Sequence, residues 1–269
     1  MADAGTVALP DGLGDMKQVP MLNAWVHDIA MDDLVEHFRE GVLLTLHVDM
    51  IMKLQTDREF HDLLDRFDVI TCDSQIMYFA TKFLGTPVRE RVSGSDYFPR
   101  FYMRHADDPS VTIFLMGGKP GIAGMAADNI NRKVGRRMIV GTDAPAFDFE
   151  TDPAEIERMI AAVNDSGASV CLVGPWGGGR QERFIMRYRD RMPGVRLWLP
   201  LGGTIDYESG GFARPPVWVT EWGFEWLYRL MKEPRARFHR YVIHEPPFLW
   251  GVLKQKLGRY RDPLARNDA

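Results

Sequence analysis

Val111-Thr-Ile-Phe-Leu-Met116 runs directly into Gly117-Gly118-Lys119-Pro120-Gly121. From there the chain continues to Val134 with Ile122, Ala126, Ile130 and Val134 at four-residue steps. An unalternating apolar run, a glycine turn and an amphipathic stretch describe a strand buried on both faces that feeds a covering helix. The pattern recurs on either side. Strands are predicted at Val42–Leu46, Asp68–Cys72, Val111–Met116, Arg137–Val140, Ser169–Val173 and Val195–Leu199. Helices are predicted at Ser74–Leu84, Asp96–His105, Gly121–Val134, Pro153–Asn164 and Arg180–Arg191. Such βαβα alternation specifies an α/β fold with a mostly parallel sheet flanked by helices. Ligands in such sheets bind beyond the carboxyl ends of the strands, so the residues just after each run carry the functional argument.

After Leu201 the alternation stops: Gly202-Gly203, Gly210-Gly211 and Pro215-Pro216 precede a helix-rich, basic end. The expected organisation is a loose leader over 1–20, a core over 21–209, a helical basic appendage over 210–260 and a flexible tail over 261–269. Charge supports that division. The 269-residue chain carries a formal net charge of −4, yet Arg229 to Arg261 holds six Arg and three Lys against Glu233 and Glu245. The same segment carries Phe238, Tyr241, Phe248, Leu249, Trp250, Val252, Leu253 and Leu257. Cations interleaved with aromatic and aliphatic groups suit a phosphate-bearing ligand or an anionic membrane surface. An acidic remainder argues against a nucleic-acid module. No run approaches the ~20 apolar residues of a membrane span. Cys72 and Cys171 both lie inside apolar runs and read as small core hydrophobes in a reducing compartment.

Five segments, four of them at strand ends, collect polar chemistry. Thr45-Leu46-His47 with Asp49 closes the first, as ligands or as helix caps. Asp73 follows Val69–Cys72 and precedes Ser74-Gln75, where a carboxylate is placed either as a general base or as an N-cap. Arg91-Val-Ser-Gly-Ser95-Asp96 pairs a cation with a helix start. Gly117-Gly118-Lys119 opens a helix and offers an anion site, but the spacing is neither G-x-G-x-x-G nor a Walker loop. Gly174-Pro175-Trp176-Gly177-Gly178-Gly179-Arg180-Gln181-Glu182 lets backbone approach a ligand, with Gln181 reading polar edges and Trp176 offering a stacking face.

Taken together and in this order, over roughly Met21–Gln255, these segments resemble the WecG/TagA/CpsF family of bacterial glycosyltransferases. The family's Thr-x-Asn stands here as Thr45-Leu46-His47, its Ala-Asp-Gly as Cys72-Asp73-Ser74 and its Arg-Val-x-Gly-x-Asp as Arg91–Asp96. Phe114–Gly121 matches its Phe-Leu-x-Gly-Gly-Lys-Pro-Gly, and Gly177–Glu182 its Gly-x-Pro-Lys-Gln-Glu. Its C-terminal signature appears as Gly223-Phe-Glu-Trp-Leu-Tyr-Arg229-Leu230, Glu233-Pro234 and Arg240-Tyr241. Departures are His47 for Asn, Ser74 for Gly, Gly179 for Pro, and Ala236 and His239 where relatives carry arginine.

The resemblance implies a Rossmann-like core in which Asp73 is the base and Thr45, Arg91 and Gln181 line the pocket. It further implies that His47, Gln75, Ser95, Asp96, Gly117, Gly118, Lys119, Gly177, Gly178 and Glu182 bind substrate. From the appendage, Arg229, Arg235, Arg237, His239 and Arg240 are expected to hold the leaving diphosphate. The implied reaction is an inverting transfer from a UDP-sugar to a polyprenyl-diphosphate-linked sugar, at the inner-leaflet surface of a bacterial cytoplasmic membrane. No metal cofactor is expected, since the chain has no Asp-x-Asp pair. Asp143-Ala-Pro-Ala-Phe-Asp-Phe-Glu150 is similar to a stretch of exopolysaccharide-type members, which points to glucose or glucuronate as the donor sugar. N-acetylmannosamine is the alternative within the family, and a nucleotide-binding oxidoreductase the alternative outside it.

Overall fold

The computed structural model describes residues 16–211, 219, 225–232, 234 and 238–265. A short antiparallel hairpin, β1 (Gln18–Met21) and β2 (Ala24–His27), precedes the main sheet. That sheet comprises β3 (Gly41–Leu46), β4 (Val69–Cys72), β5 (Ile113–Met116), β6 (Ile139–Asp143), β7 (Val170–Val173) and β8 (Leu197–Leu199). Its order is β4-β3-β8-β7-β5-β6, and every neighbouring pair is parallel. The mixed α/β architecture expected from the sequence is therefore present, with a parallel six-stranded sheet at its centre.

The helices are α1 (Met31–His37), α2 (Val48–Lys53), α3 (Arg58–His61), α4 (Gln75–Leu84), α5 (Gly94–Arg104) and α6 (Ile122–Val134). They continue with α7 (Pro153–Ser166), α8 (Arg180–Tyr188), α9 (Thr204–Glu208), α10 (Glu225–Lys232) and α11 (Pro247–Lys256), a π-helical segment at His239–His244 preceding the last. Strands β4, β5, β7 and β8 are buried at every residue, which is why their sequences do not alternate. Side chains of one strand serve two cores. Val42, Leu44 and Leu46 of β3 join one apolar cluster, and Leu43 the other. Each large aliphatic or aromatic side chain so enclosed contributes about 1.5–3 kcal/mol.

Local chemistry sets the helix ends that face the site. Ser74 Oγ accepts from Met77 N at 3.1 Å to start α4, and Ser93 Oγ accepts from Asp96 N at 3.3 Å to start α5. His47 caps α2 through Nδ1, which accepts from Met50 N at 3.4 Å.

The ends of the chain differ from the sequence reading. Residues 18–20, assigned to the leader, are strand, while residues 1–15 lie outside the described residues. Helix α11 belongs to the main core: Phe248 and Val252 are buried in the larger apolar cluster. Leu22 N also donates to Gln255 Oε1 at 2.8 Å. The stretch 261–265, expected to be loose tail, is tied down as well. Asn23 Nδ2 donates to Asp262 at 3.1 Å, Tyr260 OH donates to Gln55 Oε1 at 2.6 Å, and Arg58 donates to the Leu264 carbonyl.

Candidate active site

A cavity of about 420 Å³ opens beyond the carboxyl ends of β4, β3, β8 and β7. Thr45 and His47 reach it from the end of β3, and Asp73, Ser74 and Gln75 from the end of β4. Gly94 and Ser95 border it from the start of α5, and Gly177, Gly178, Gly179, Gln181 and Glu182 from the β7–α8 connection. Four strand ends that lie far apart in sequence thus converge on one space.

The two readings of Asp73 separate here. Ser74 is the residue at the N-cap of α4, and Asp73, one position earlier, stands on the cavity wall. The Asp73 backbone is clamped on both sides: its N–H donates to Leu46 O at 3.0 Å, and its carbonyl accepts from Arg91 Nη1 at 3.1 Å. Arg91 does not border the cavity. Its other nitrogen pairs with Asp96 Oδ2 at 2.7 Å, and Asp96 also accepts from Ser93 Oγ at 2.7 Å. Arg91 and Asp96 thus brace the loop that presents Asp73 and Ser95.

On the opposite wall Gln181 is nearly buried. Its Oε1 accepts from Trp176 N at 3.1 Å and its Nε2 donates to Pro200 O at 3.5 Å, so the amide joins the β7 loop to the end of β8. Glu182 follows, wholly buried, with neither carboxylate oxygen in a hydrogen bond among the described residues. Burial pushes its pKa up to about 7, and the weaker pull of its own N–H, the Gln181 amide, Arg183 and Lys53 does not offset this.

Other expectations fall elsewhere. Gly117, Gly118 and Lys119 are not on the lining. Gly117 has φ +125°, and a Cβ there would lie 2.1 Å from the Gly174 carbonyl oxygen, so this turn serves the close approach of the β5 and β7 loops. The Trp176 ring sits among Phe149 and Phe184, with centroids 4.5 and 5.4 Å away, and offers the cavity no stacking face. Arg180 binds Glu150 and the Phe147 carbonyl. Arg235 and Arg237 lie outside the described residues, as do the side chains of Arg229 and Arg240. His239 is exposed and does not border the cavity.

Several lining residues escaped the sequence reading. Lys53 extends from α2, its ammonium 2.9 Å from Asp57. Gly202, Gly203, Thr204, Asp206 and Tyr207 follow β8; the same strand-end rule would have found them, had the glycines not been read as a domain break. Helix α9, which carries Asp206 and Tyr207, is pinned from behind. Buried Glu208 accepts from Tyr102 OH at 2.9 Å and from Lys133 Nζ at 2.7 Å. The C-terminal segment completes the rim, with Glu245 on the lining and His244 Nδ1 lying 3.1 Å from Asp49 Oδ1. Among the described residues, the basic lining groups are His47 and Lys53, against Asp49, Asp73, Glu182, Asp206 and Glu245.

Comparison with known proteins bears on what this space holds. Residues 19–262 match the model of the glycosyl transferase WecG/TagA/CpsF family. The chain is also similar to an enzyme of Bacillus subtilis (strain 168), the N-acetylglucosaminyldiphosphoundecaprenol N-acetyl-beta-D-mannosaminyltransferase. The two are 26% identical over 230 residues, spanning 84% of this chain and 86% of the relative.

Proposed function

The chain belongs to the WecG/TagA/CpsF family of glycosyl transferases, and from that premise we propose that it moves an N-acetylmannosaminyl group from a UDP-sugar to a polyprenyl-diphosphate-linked amino sugar. The B. subtilis relative, whose name states that transfer and acceptor, supports the amino-sugar reading over glucose or glucuronate. The hexose expectation rested on Asp143–Glu150. That stretch borders no part of the cavity, since Arg158 binds Asp143 at 3.0 Å and Arg180 binds Glu150.

The observation that carries the mechanism is the placement of Asp73: at a strand end, on the cavity wall, and held by backbone bonds on both sides. In the proposed reaction Asp73 takes the proton of an acceptor hydroxyl. The freed oxygen attacks the anomeric carbon of the donor, and the bond from that carbon to the diphosphate oxygen breaks. Configuration inverts and UDP leaves with both bonding electrons. Lys53 supplies local positive charge to the departing diphosphate, and the appendage cations Arg229, Arg235, Arg237 and Arg240 are proposed to supply the rest. Thr45, Ser95 and the Gly177–Gly179 backbone orient the sugar and diphosphate.

The test is transfer from UDP-N-acetylmannosamine to lipid-linked N-acetylglucosamine, with the product read by mass spectrometry. Asp73→Asn should lower turnover by on the order of 10²–10⁴. Near wild-type turnover in that variant removes Asp73 as the base. Wild-type transfer from UDP-glucose but not from UDP-N-acetylmannosamine restores the hexose reading.

A further inference from the structure

Helix α9 is five residues long, too short to be stable by itself, so its neighbours decide where it lies. Two kinds of contact hold it. Ile205 is buried in the same apolar cluster as Ile130 of α6 and Tyr102 of α5, and such packing is non-directional. The second kind is directional. Tyr102 OH and Lys133 Nζ both donate to Glu208 Oε2, at 2.9 and 2.7 Å, and Lys133 Nζ also donates to Tyr102 OH at 3.0 Å, which closes a triangle of hydrogen bonds. The Glu208 side chain is only 4% exposed, and the cation that meets it among the described residues is Lys133. One helical turn before Lys133, Asn129 Nδ2 donates to the carbonyls of Glu208 and Ser209 at 3.0 and 3.2 Å, groups that the end of a helix leaves without an internal partner. None of Tyr102, Asn129, Lys133 and Glu208 borders the cavity, whereas Asp206 and Tyr207 of α9 do.

We infer that the Tyr102–Lys133–Glu208 triangle, together with Asn129, fixes the roll of α9, and that these four are positioning residues for the transfer, acting through Asp206 and Tyr207 on the cavity wall. At 3.6 residues per turn, Glu208 and Asp206 stand about 200° apart around the helix, so the anchored side lies nearly opposite the residue that meets the cavity. With side chains about 5–6 Å from the axis, a roll of about 10° moves Asp206 by about 1 Å. A misplacement of that size, caused far from the chemistry, costs up to about 10²-fold in rate. The part given to these residues in transfer rests on the transferase reading; the anchoring of α9 does not.

The test replaces both members of the ion pair in the full chain, Lys133→Met with Glu208→Leu, because removing Lys133 alone strands a buried carboxylate and threatens the fold. Urea denaturation should show stability retained, since an apolar pair can replace an ion pair at little cost. Hydrogen exchange read by mass spectrometry should show the amides of residues 202–209 exchanging faster by about tenfold or more, with those of β5 and β7 unchanged. In the transfer assay kcat should fall by about tenfold or more while KM stays within about threefold. Lys133→Arg keeps the cation and its donors and should leave exchange and kcat at wild-type values. Unchanged exchange over 202–209 in the double variant overturns the inference. So does wild-type kcat despite faster exchange, which would make the cluster a matter of local stability alone. Hydrogen exchange needs no sugar substrate. Faster exchange over α9, in a protein whose wild type shows no transfer, therefore removes the functional reading and leaves the anchor standing.

Discussion

Glu182 is the most exacting probe of how the cavity wall is built. It is wholly buried, neither oxygen has a hydrogen-bond partner among the described residues, and its pKa is pushed up from 4.5 to about 7. The folded state therefore holds the proton more tightly than the unfolded chain does. Between pH 4.5 and about 7 the native protein binds more protons, so stability falls as pH rises and levels off above 7. At about 1.4 kcal/mol for each pKa unit, the penalty at pH 8 comes to about 3 kcal/mol. Glu182→Gln keeps the shape of the side chain and removes the ionisation. Any fixed packing or hydrogen-bonding cost of the amide is the same at every pH and cancels from the pH dependence. Urea denaturation of the two proteins at pH 5 and pH 8 should show the variant gaining about 2–3 kcal/mol relative to wild type on going to the higher pH. A difference in stability that does not move with pH would refute the burial argument, and with it the picture of an uncompensated carboxyl behind Gln181.

Two further substitutions test the frame around the site. Gly117→Ala places a methyl group 2.1 Å from the Gly174 oxygen at a φ of +125°, so it should destabilise the fold by about 2 kcal/mol or more and separate the β5 and β7 loops. Urea denaturation reads the loss, and a variant as stable as wild type would mean the loops tolerate that gap. Arg91→Lys cannot hold Asp73 O and Asp96 Oδ2 together, so kcat should fall about tenfold or more with KM little changed. A rise in KM alone would instead make Arg91 a substrate ligand.

The sheet was legible because its strands are apolar on both faces: Val69–Cys72 and Val170–Val173 leave no other reading. The β1–β2 hairpin was not, since its turn uses Leu22 at φ 54° and so carries no glycine, and Pro20 sits within its first strand. Among site residues, the strand-end rule located Thr45, His47, Asp73 and Gln181 because position along a strand is a local property. Lys53, Tyr207 and Glu245 come from elements flanking the sheet, and their arrival depends on how α2, α9 and the C-terminal segment pack. Trp176 misled for the same reason: an indole beside a glycine loop is free to stack on a ligand only when no aromatic neighbour claims it, and Phe149 and Phe184 do.

The position of β8 bears on how the chain is made. It is the last strand of the sheet in sequence, yet it lies between β3 and β7 and hydrogen-bonds to both. Until it arrives, β4-β3 and β7-β5-β6 are separate ribbons with open inner edges. About 150 residues separate Leu46 from Leu197. At ribosomal rates of roughly 5–20 residues per second, β3 waits about 8–30 s for its inner neighbour. The nascent protein thus spends that interval with the inner edge of β3 open, and the edge of β7 joins it only once Val170–Val173 has been made.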